Sequence, residues 1–211
     1  MRVKICGLTN LNQAQEIVKL GANSIGFICV ERSPRYISPE DIKAIAVALP
    51  HNIDKVGVFA DHSLEEIAKT LKFAKLTSVQ LHGAETPDFC DRLRQVLPDQ
   101  IELIKAFRIK TAASLQDIKG YSNKVDTLLL DAYHPQMLGG TGHTIDWQDL
   151  EQFAPSLPWL LAGGLTPNNI NDALSRLKPD GIDLSSGVER SPGDKDLTKV
   201  TQLFKQLAIV R

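Results

Sequence analysis

Cys6 and Asp131 are the residues of this sequence best suited to moving protons. Cys6 lies in Lys4-Ile5-Cys6-Gly7-Leu8-Thr9-Asn10, where an apolar run stops at Gly7 and Thr9 or Asn10 can cap a following helix. A thiol at such a junction sits near the positive end of that helix. That can bring its pKa, about 8.5 when unperturbed, toward neutrality and make it a base for a proton on carbon. The same residue also suits a core, since free cysteine is among the most buried residue types. Asp131 ends the apolar run 125–130. A carboxyl at the rim of a folded sheet is partly desolvated, which raises its pKa and lets it act as a general acid. Its plainer role is to brace the turn at 133–135.

Other candidates follow further apolar runs. Gly163-Gly164 and Ser185-Ser186-Gly187 offer unobstructed backbone N–H groups suited to a phosphate, helped by a short helix expected beyond Gly187. They also read as ordinary glycine-rich turns. Arg35, in a polar loop, can hold a carboxylate in a fork geometry, or be a solvated charge. His82 can orient a substrate or hydrogen-bond to Asp131, or be structural. The loop 132–145, with Gly139-Gly140-Thr141-Gly142, can close over a substrate or simply turn tightly. Asp126, at the other end of its run, reads as structural. Lys4 shares a strand face with Cys6 by the period of two, and the sequence supplies no partner for it.

The elements that must position these groups alternate. Short Val/Ile/Leu-rich runs at 2–6, 24–29, 55–60, 78–81, 101–107, 125–130, 157–162 and 181–184 read as buried parallel strands. Between them lie helices with caps: Pro39 at a first turn, Asp61 or Ser63 with Glu65 or Glu66, Thr86-Pro87, a short helix at 112–118, Asp146 before 147–153, Thr166-Pro167, and Asp194 or Asp196 before a final helix. Eight such units in 211 residues, with no linker or shift of composition, predict a single-domain (β/α)8 TIM barrel over 1–211. The first turn lacks the G-x-G-x-x-G fingerprint, which weakens a doubly wound dinucleotide-binding sheet. In a barrel the active site gathers at the C-terminal strand ends, and a phosphate commonly rests after strands seven and eight. The candidates above occupy those ends.

Composition narrows the class. With 43% hydrophobic and 23% charged residues and a net charge of −1, the chain reads as an ordinary globular protein with no globally basic nucleic-acid surface. No run reaches the roughly 18 apolar residues of a membrane helix, and no signal-peptide pattern is visible. Cys6, Cys29 and Cys90 lack metal-ligand spacing, and three cannot make a disulfide framework; a reducing, cytoplasmic setting is expected.

Taken together, these residues resemble the phosphoribosylanthranilate isomerase family of tryptophan biosynthesis. The carriers are Lys4-Ile5-Cys6-Gly7-Leu8-Thr9, Arg32-Ser33-Pro34-Arg35-Tyr36-Ile37, Gln80-Leu81-His82-Gly83, Leu130-Asp131, Gly139-Gly140-Thr141-Gly142 with Asp146-Trp147, Leu161-Ala162-Gly163-Gly164-Leu165, and Asp183-Leu184-Ser185-Ser186-Gly187-Val188-Glu189. Ile145 departs from the aromatic residue the family usually has there. The resemblance implies a (β/α)8 barrel and a cofactor-free Amadori rearrangement of a small phosphorylated substrate. It makes Asp131 the general acid at the furanose ring oxygen and Cys6, as thiolate, the base at ribose C2. It places the anthranilate carboxylate on Arg35, His82 nearby, and the phosphate on Gly163, Gly164, Ser185, Ser186 and Gly187. No nucleic acid or membrane is implied, and monomer and homodimer both remain open.

Three rivals remain at this point. A Schiff-base aldolase would use Lys105 or Lys4, either desolvated in an apolar strand. A non-catalytic barrel would bind a phosphorylated ligand without turnover. A dual-substrate isomerase would use the same acid–base pair on a related aminoaldose.

Overall fold

The longer helices begin where the sequence supplies a cap. In the computed structural model, which describes residues 1–109, 112–132 and 147–209, β1 (Arg2–Cys6) leads to α1 (Leu11–Leu20). Asn10 is the cap, its side chain accepting from Gln13 N at 3.1 Å. β2 (Ser24–Ile28) precedes α2 (Pro39–Ala48), capped by Ser38 with Pro39 in the first turn. β3 (Asp54–Phe59) precedes α3 (Leu64–Ala74), where Ser63 and Glu66 form a reciprocal capping box. β4 (Ser78–Leu81) precedes α4 (Pro87–Val96), capped by Thr86.

The second half continues with β5 (Glu102–Ile109), β6 (Thr127–Ala132), α5 (Gln148–Glu151), β7 (Trp159–Ala162), α6 (Ile170–Arg176) and β8 (Gly181–Leu184). A small hairpin of β9 (Glu189–Ser191) and β10 (Asp194–Lys195) comes before α7 (Leu197–Ile209). The eight long strands pair in sequence order, and β1 closes on β8, with Lys4 opposite Asp183 and Ile5 opposite Leu184. This is a closed parallel (β/α)8 barrel.

Several details differ from the sequence reading. The stretch expected as a helix at 112–118 forms two 3-10 turns, Ala112–Leu115 and Asp117–Tyr121. The seventh-strand helix starts at Ile170 rather than at Thr166-Pro167. Asn169 holds the intervening residues in a turn, accepting from Thr166 N at 2.7 Å and donating to Gly164 O at 2.9 Å. β6 runs two residues later than expected, because Asp126 pairs with Arg94 and accepts from Leu103 N at 2.7 Å below the strand. The Gly139–Gly142 loop, Ile145, the proposed cap Asp146 and the 133–135 turn lie outside the described residues.

Alternation of side chains across the strands divides the interior into layers. At the N-terminal end, Arg2 donates to Glu102 at 2.6 Å and pairs with Asp54 at 3.2 Å, while Thr127 also donates to Glu102 at 2.7 Å. Above this polar plug, Val56, Ile104, Ala106, Leu129, Leu160 and Ala162 form a compact apolar cluster. It fills the β3 and β5–β7 side. The β8–β1 side at that height holds Lys4 and Asp183 instead, joined at 3.0 Å. A larger apolar shell packs the strands against the helices. Among the described residues no helix is long and apolar enough to cross a membrane.

Candidate active site

The C-terminal strand ends enclose a cavity of about 270 Å³. All nine residues singled out in the sequence line it: Cys6, Arg35, His82, Asp131, Gly163, Gly164, Ser185, Ser186 and Gly187. They arrive from β1, the β2–α2 loop, the end of β4, β6, and the turns after β7 and β8, so the barrel alone brings them together.

Cys6 is the last residue of β1 and is buried. Burial pushes its thiol above the ordinary cysteine range, while the Lys4 ammonium pulls the other way by charge and by a hydrogen bond. Burial therefore outweighs the lowering expected from the helix end. Gly26, opposite Cys6 in the β1–β2 ladder, makes room for this group. A Cβ there would lie 2.6 Å from Cys6 Sγ and 3.0 Å from Lys4 Nζ.

Asp131 sits within β6, paired in register with Arg108 and Ala162, and its side chain is 35% exposed. His82 Nε2 is 3.6 Å from Asp131 Oδ2, beyond hydrogen-bond length but within ion-pair range. The other ring nitrogen, Nδ1, lies 3.0 Å from Gln80 Nε2. With the Gln80 amide donating, Nδ1 accepts and the Nε2 proton faces Asp131. Among the described residues, buried Gln80 Oε1 has no hydrogen-bond partner, and Gln80 lines the same cavity.

The turn after β7 uses two glycines at positive φ, +90° at Gly163 and +63° at Gly164, a backbone that residues with a Cβ adopt only with strain. After β8 the chain makes a single 3-10 turn, Ser186–Val188, which contains Gly187 rather than following it. Gly187 packs against the β7 turn so closely that a Cβ would run into the Leu165 carbonyl oxygen.

Arg35 closes the cavity on the side of the small hairpin. Its Nε is 3.0 and 3.1 Å from the two Glu189 oxygens and its Nη2 is 2.7 Å from Oε2. Lys195 Nζ donates to Glu189 Oε1 at 2.6 Å and also to the Cys6 and Ser185 carbonyls. Burial works to raise the Glu189 carboxyl, but the bonds from Arg35 and Lys195 outweigh it and hold it below the usual range. Arg35 is thus a fixed guanidinium, not a solvated charge.

Residues 3–206 match the family model described as N-(5'-phosphoribosyl)anthranilate (PRA) isomerase. The chain belongs to this family. It is 58% identical over 207 residues to the N-(5'-phosphoribosyl)anthranilate isomerase of Rippkaea orientalis, covering 98% of this chain and 96% of that one. Identity to the enzyme of Trichormus variabilis is 60%, covering 98% of each. Its fold matches the crystal structure of the phosphoribosyl anthranilate isomerase of Thermotoga maritima with a TM-score of 0.88, at 36% identity over 99% of this chain and 98% of that one. A second isomerase structure, in complex with reduced 1-(o-carboxyphenylamino)-1-deoxyribulose 5-phosphate, matches with a TM-score of 0.84 at 34% identity, over 99% and 98% of the two chains.

Within this family frame, the aldolase alternative loses its amine. Lys105 is buried and donates to Glu85 at 2.9 Å and to the Gly83 carbonyl at 2.8 Å, and Lys4 is joined to Asp183. Neither lysine lines the cavity. Among the described residues no three His, Cys, Asp or Glu side chains converge as a metal site. Sequence reasoning gave no role to Gln80, Asp183, Glu189 or Lys195. The first three stand in the quoted motifs, but only the closed barrel brings Gln80 and Asp183 to the cavity, and only the β9–β10 hairpin sets Glu189 and Lys195 against Arg35 and the Cys6 carbonyl.

Proposed function

We propose that this chain isomerises N-(5'-phosphoribosyl)anthranilate to 1-(2-carboxyphenylamino)-1-deoxyribulose 5-phosphate in tryptophan biosynthesis, with Asp131 as general acid and Cys6 as general base. The observation that carries the reading is the placement of the Cys6 thiol and the Asp131 carboxyl on the wall of a single cavity, between two glycine-containing turns and a fixed guanidinium. Asp131 protonates the furanose ring oxygen, and the C1–O bond breaks to give an open-chain iminium. The Cys6 thiolate then takes the C2 proton, whose bonding pair moves into the C1–C2 bond and neutralises the iminium nitrogen. The resulting enolaminol gains a proton at C1 and loses one from the C2 hydroxyl, leaving the ketone. The process is an internal redox exchange, with no atom gained or lost overall.

The remaining contacts follow the substrate's charges. Glu189 occupies the Nε and Nη2 edge of Arg35, so the anthranilate carboxylate meets its other N–H groups. His82 flanks that end and the N–H groups at Gly163-Gly164 and Ser185-Ser186-Gly187 receive the phosphate. The product analogue held by the second isomerase structure carries a carboxylate at one end and a phosphate at the other, which supports a site with one subsite for each.

The test is turnover of freshly generated phosphoribosylanthranilate, followed by loss of its fluorescence. Cys6→Ser and Asp131→Asn should each lower kcat by about 10²-fold or more while a reduced product analogue still binds. A loss smaller than about tenfold, roughly 1.4 kcal/mol in barrier, removes that residue from its role. Binding without turnover in the parent would restore the ligand-barrel reading.

A further inference from the structure

A thiol buried at the floor of a cavity is a poor base unless something stabilises its anion. Burial alone raises the cost of the thiolate, because the charged form loses its water. The residue beneath Cys6 offsets part of that cost. Lys4 is two positions earlier on β1, on the same inward face, and is completely buried. It is not among the residues that line the cavity and lies below its surface. Its Nζ is held at 3.0 Å by Asp183 Oδ1 on β8, directly across the barrel seam.

We propose that Lys4 is the positioning residue that sets the ionisation of Cys6, with Asp183 fixing the ammonium under the sulfur. This rests on the reading of Cys6 as the base, and it adds the group that makes that base available. The arrangement is a three-centre electrostatic one, with the ammonium between a carboxylate and the sulfur. With Cys6 as thiol, Lys4 and Asp183 form a neutral pair. With Cys6 as thiolate, one ammonium is shared between two anions. The proton that leaves Cys6 does not pass to Lys4, which stays charged throughout.

The other charges facing Cys6 cannot replace it. Lys195 on β10 also favours the thiolate by its charge, but it acts less strongly than Lys4, and its donors go to Glu189 and to the Cys6 and Ser185 carbonyls rather than to the sulfur. Arg35, from the β2–α2 loop, is paired with Glu189. Asp183 by itself opposes the thiolate, and Cys29 is a further buried thiol that interacts unfavourably with it when charged. Gly26 on β2 completes the arrangement by leaving space in which sulfur and ammonium meet.

The experiment measures thiol ionisation directly, apart from catalysis. Alkylation of Cys6 by iodoacetamide is followed against pH, with the modified peptide identified by mass so that Cys29 and Cys90 are excluded. The pH dependence of kcat/KM is measured in parallel. In Lys4→Gln the half-point of alkylation should move up by at least about one pH unit, equivalent to a tenfold loss of thiolate below it. The acid limb of kcat/KM should move with it, and Lys4→Arg should restore both. An alkylation profile unchanged in Lys4→Gln overturns the proposal. A shifted alkylation profile with an unshifted kcat/KM supports the action of Lys4 on the thiol and instead overturns Cys6 as the base. If Lys4→Gln fails to fold because Asp183 is left unpaired, Lys4→Gln/Asp183→Asn removes the pair without stranding a charge. Its profile must lie above that of Asp183→Asn alone, and no difference between the two overturns the proposal.

Discussion

At the scale of single residues, the site depends on charges that are held rather than merely present. Arg35 would be a floppy side chain on a loop without Glu189, whose two oxygens grip its Nε and Nη2 edge. Glu189 is in turn anchored by Lys195 and accepts from Gly193 N at 3.2 Å. A bidentate pair fixes the plane of a guanidinium as well as its position, and that plane decides whether a second carboxylate can dock side by side. Glu189→Gln keeps the size but weakens both charge-assisted bonds. KM for phosphoribosylanthranilate should rise about tenfold, near 1.4 kcal/mol, while kcat changes by less than about threefold, because no transition-state charge is touched. Steady-state kinetics separates these. A fall in kcat with KM unchanged would show that the hairpin acts on the chemistry and not on binding.

At the scale of elements, the β–α alternation and most helix starts were legible in the sequence because each rests on local chemistry. Apolar runs make strands, and Asn10, Ser38, Ser63 and Thr86 cap helices through contacts three residues away. What escaped was set by distant partners. Lys4 and Asp183 are 179 residues apart, Arg2 and Glu102 are 100 apart, and both pairs meet only when the barrel closes. Nothing near them in the chain marks them as paired. The β9–β10 hairpin escaped because strands of three and two residues carry no usable periodicity. The two turns proposed for the phosphate were read from their glycines, and the structure separates the demands on each. Gly164 needs φ +63°, a left-handed conformation that costs an alanine only about 1–2 kcal/mol. Gly187 has no room for a Cβ against Leu165 O, so the turn itself must shift. Gly187→Ala should therefore raise KM by tenfold or more, and Gly164→Ala by less. Inorganic phosphate, as a competitive inhibitor, should weaken in the same order; the reverse order would place the phosphate on the β7 turn alone.

At the scale of the whole molecule, the two ends of the barrel carry different burdens. The C-terminal end gathers buried charge for chemistry, while the N-terminal end holds the Arg2, Glu102, Asp54 and Thr127 plug, far from the cavity. That separation lets acid stability be tested without disturbing the site. Burial favours the protonated form of Glu102, but the hydrogen bond and charge of Arg2 outweigh it and hold its carboxyl below the ordinary value near 4.5. Asp54 shifts the opposite way, raised chiefly by burial despite Arg2. The signs follow from linkage. A depressed carboxylate stabilises the fold above its unfolded pKa, and that contribution is lost as pH falls through the folded value. A raised one works against the fold once ionised. Glu102 therefore dominates any loss below about pH 4.5 at this end. Glu102→Gln should lower stability at pH 7 by about 1–3 kcal/mol, the range for a charge-assisted bond lost from a mostly buried group. At pH 3 the gap should narrow, since the parent's carboxyl is then losing its charge. Urea unfolding at the two pH values reads this directly. An equal gap at both would assign the effect to packing of the plug instead of to its ionisation.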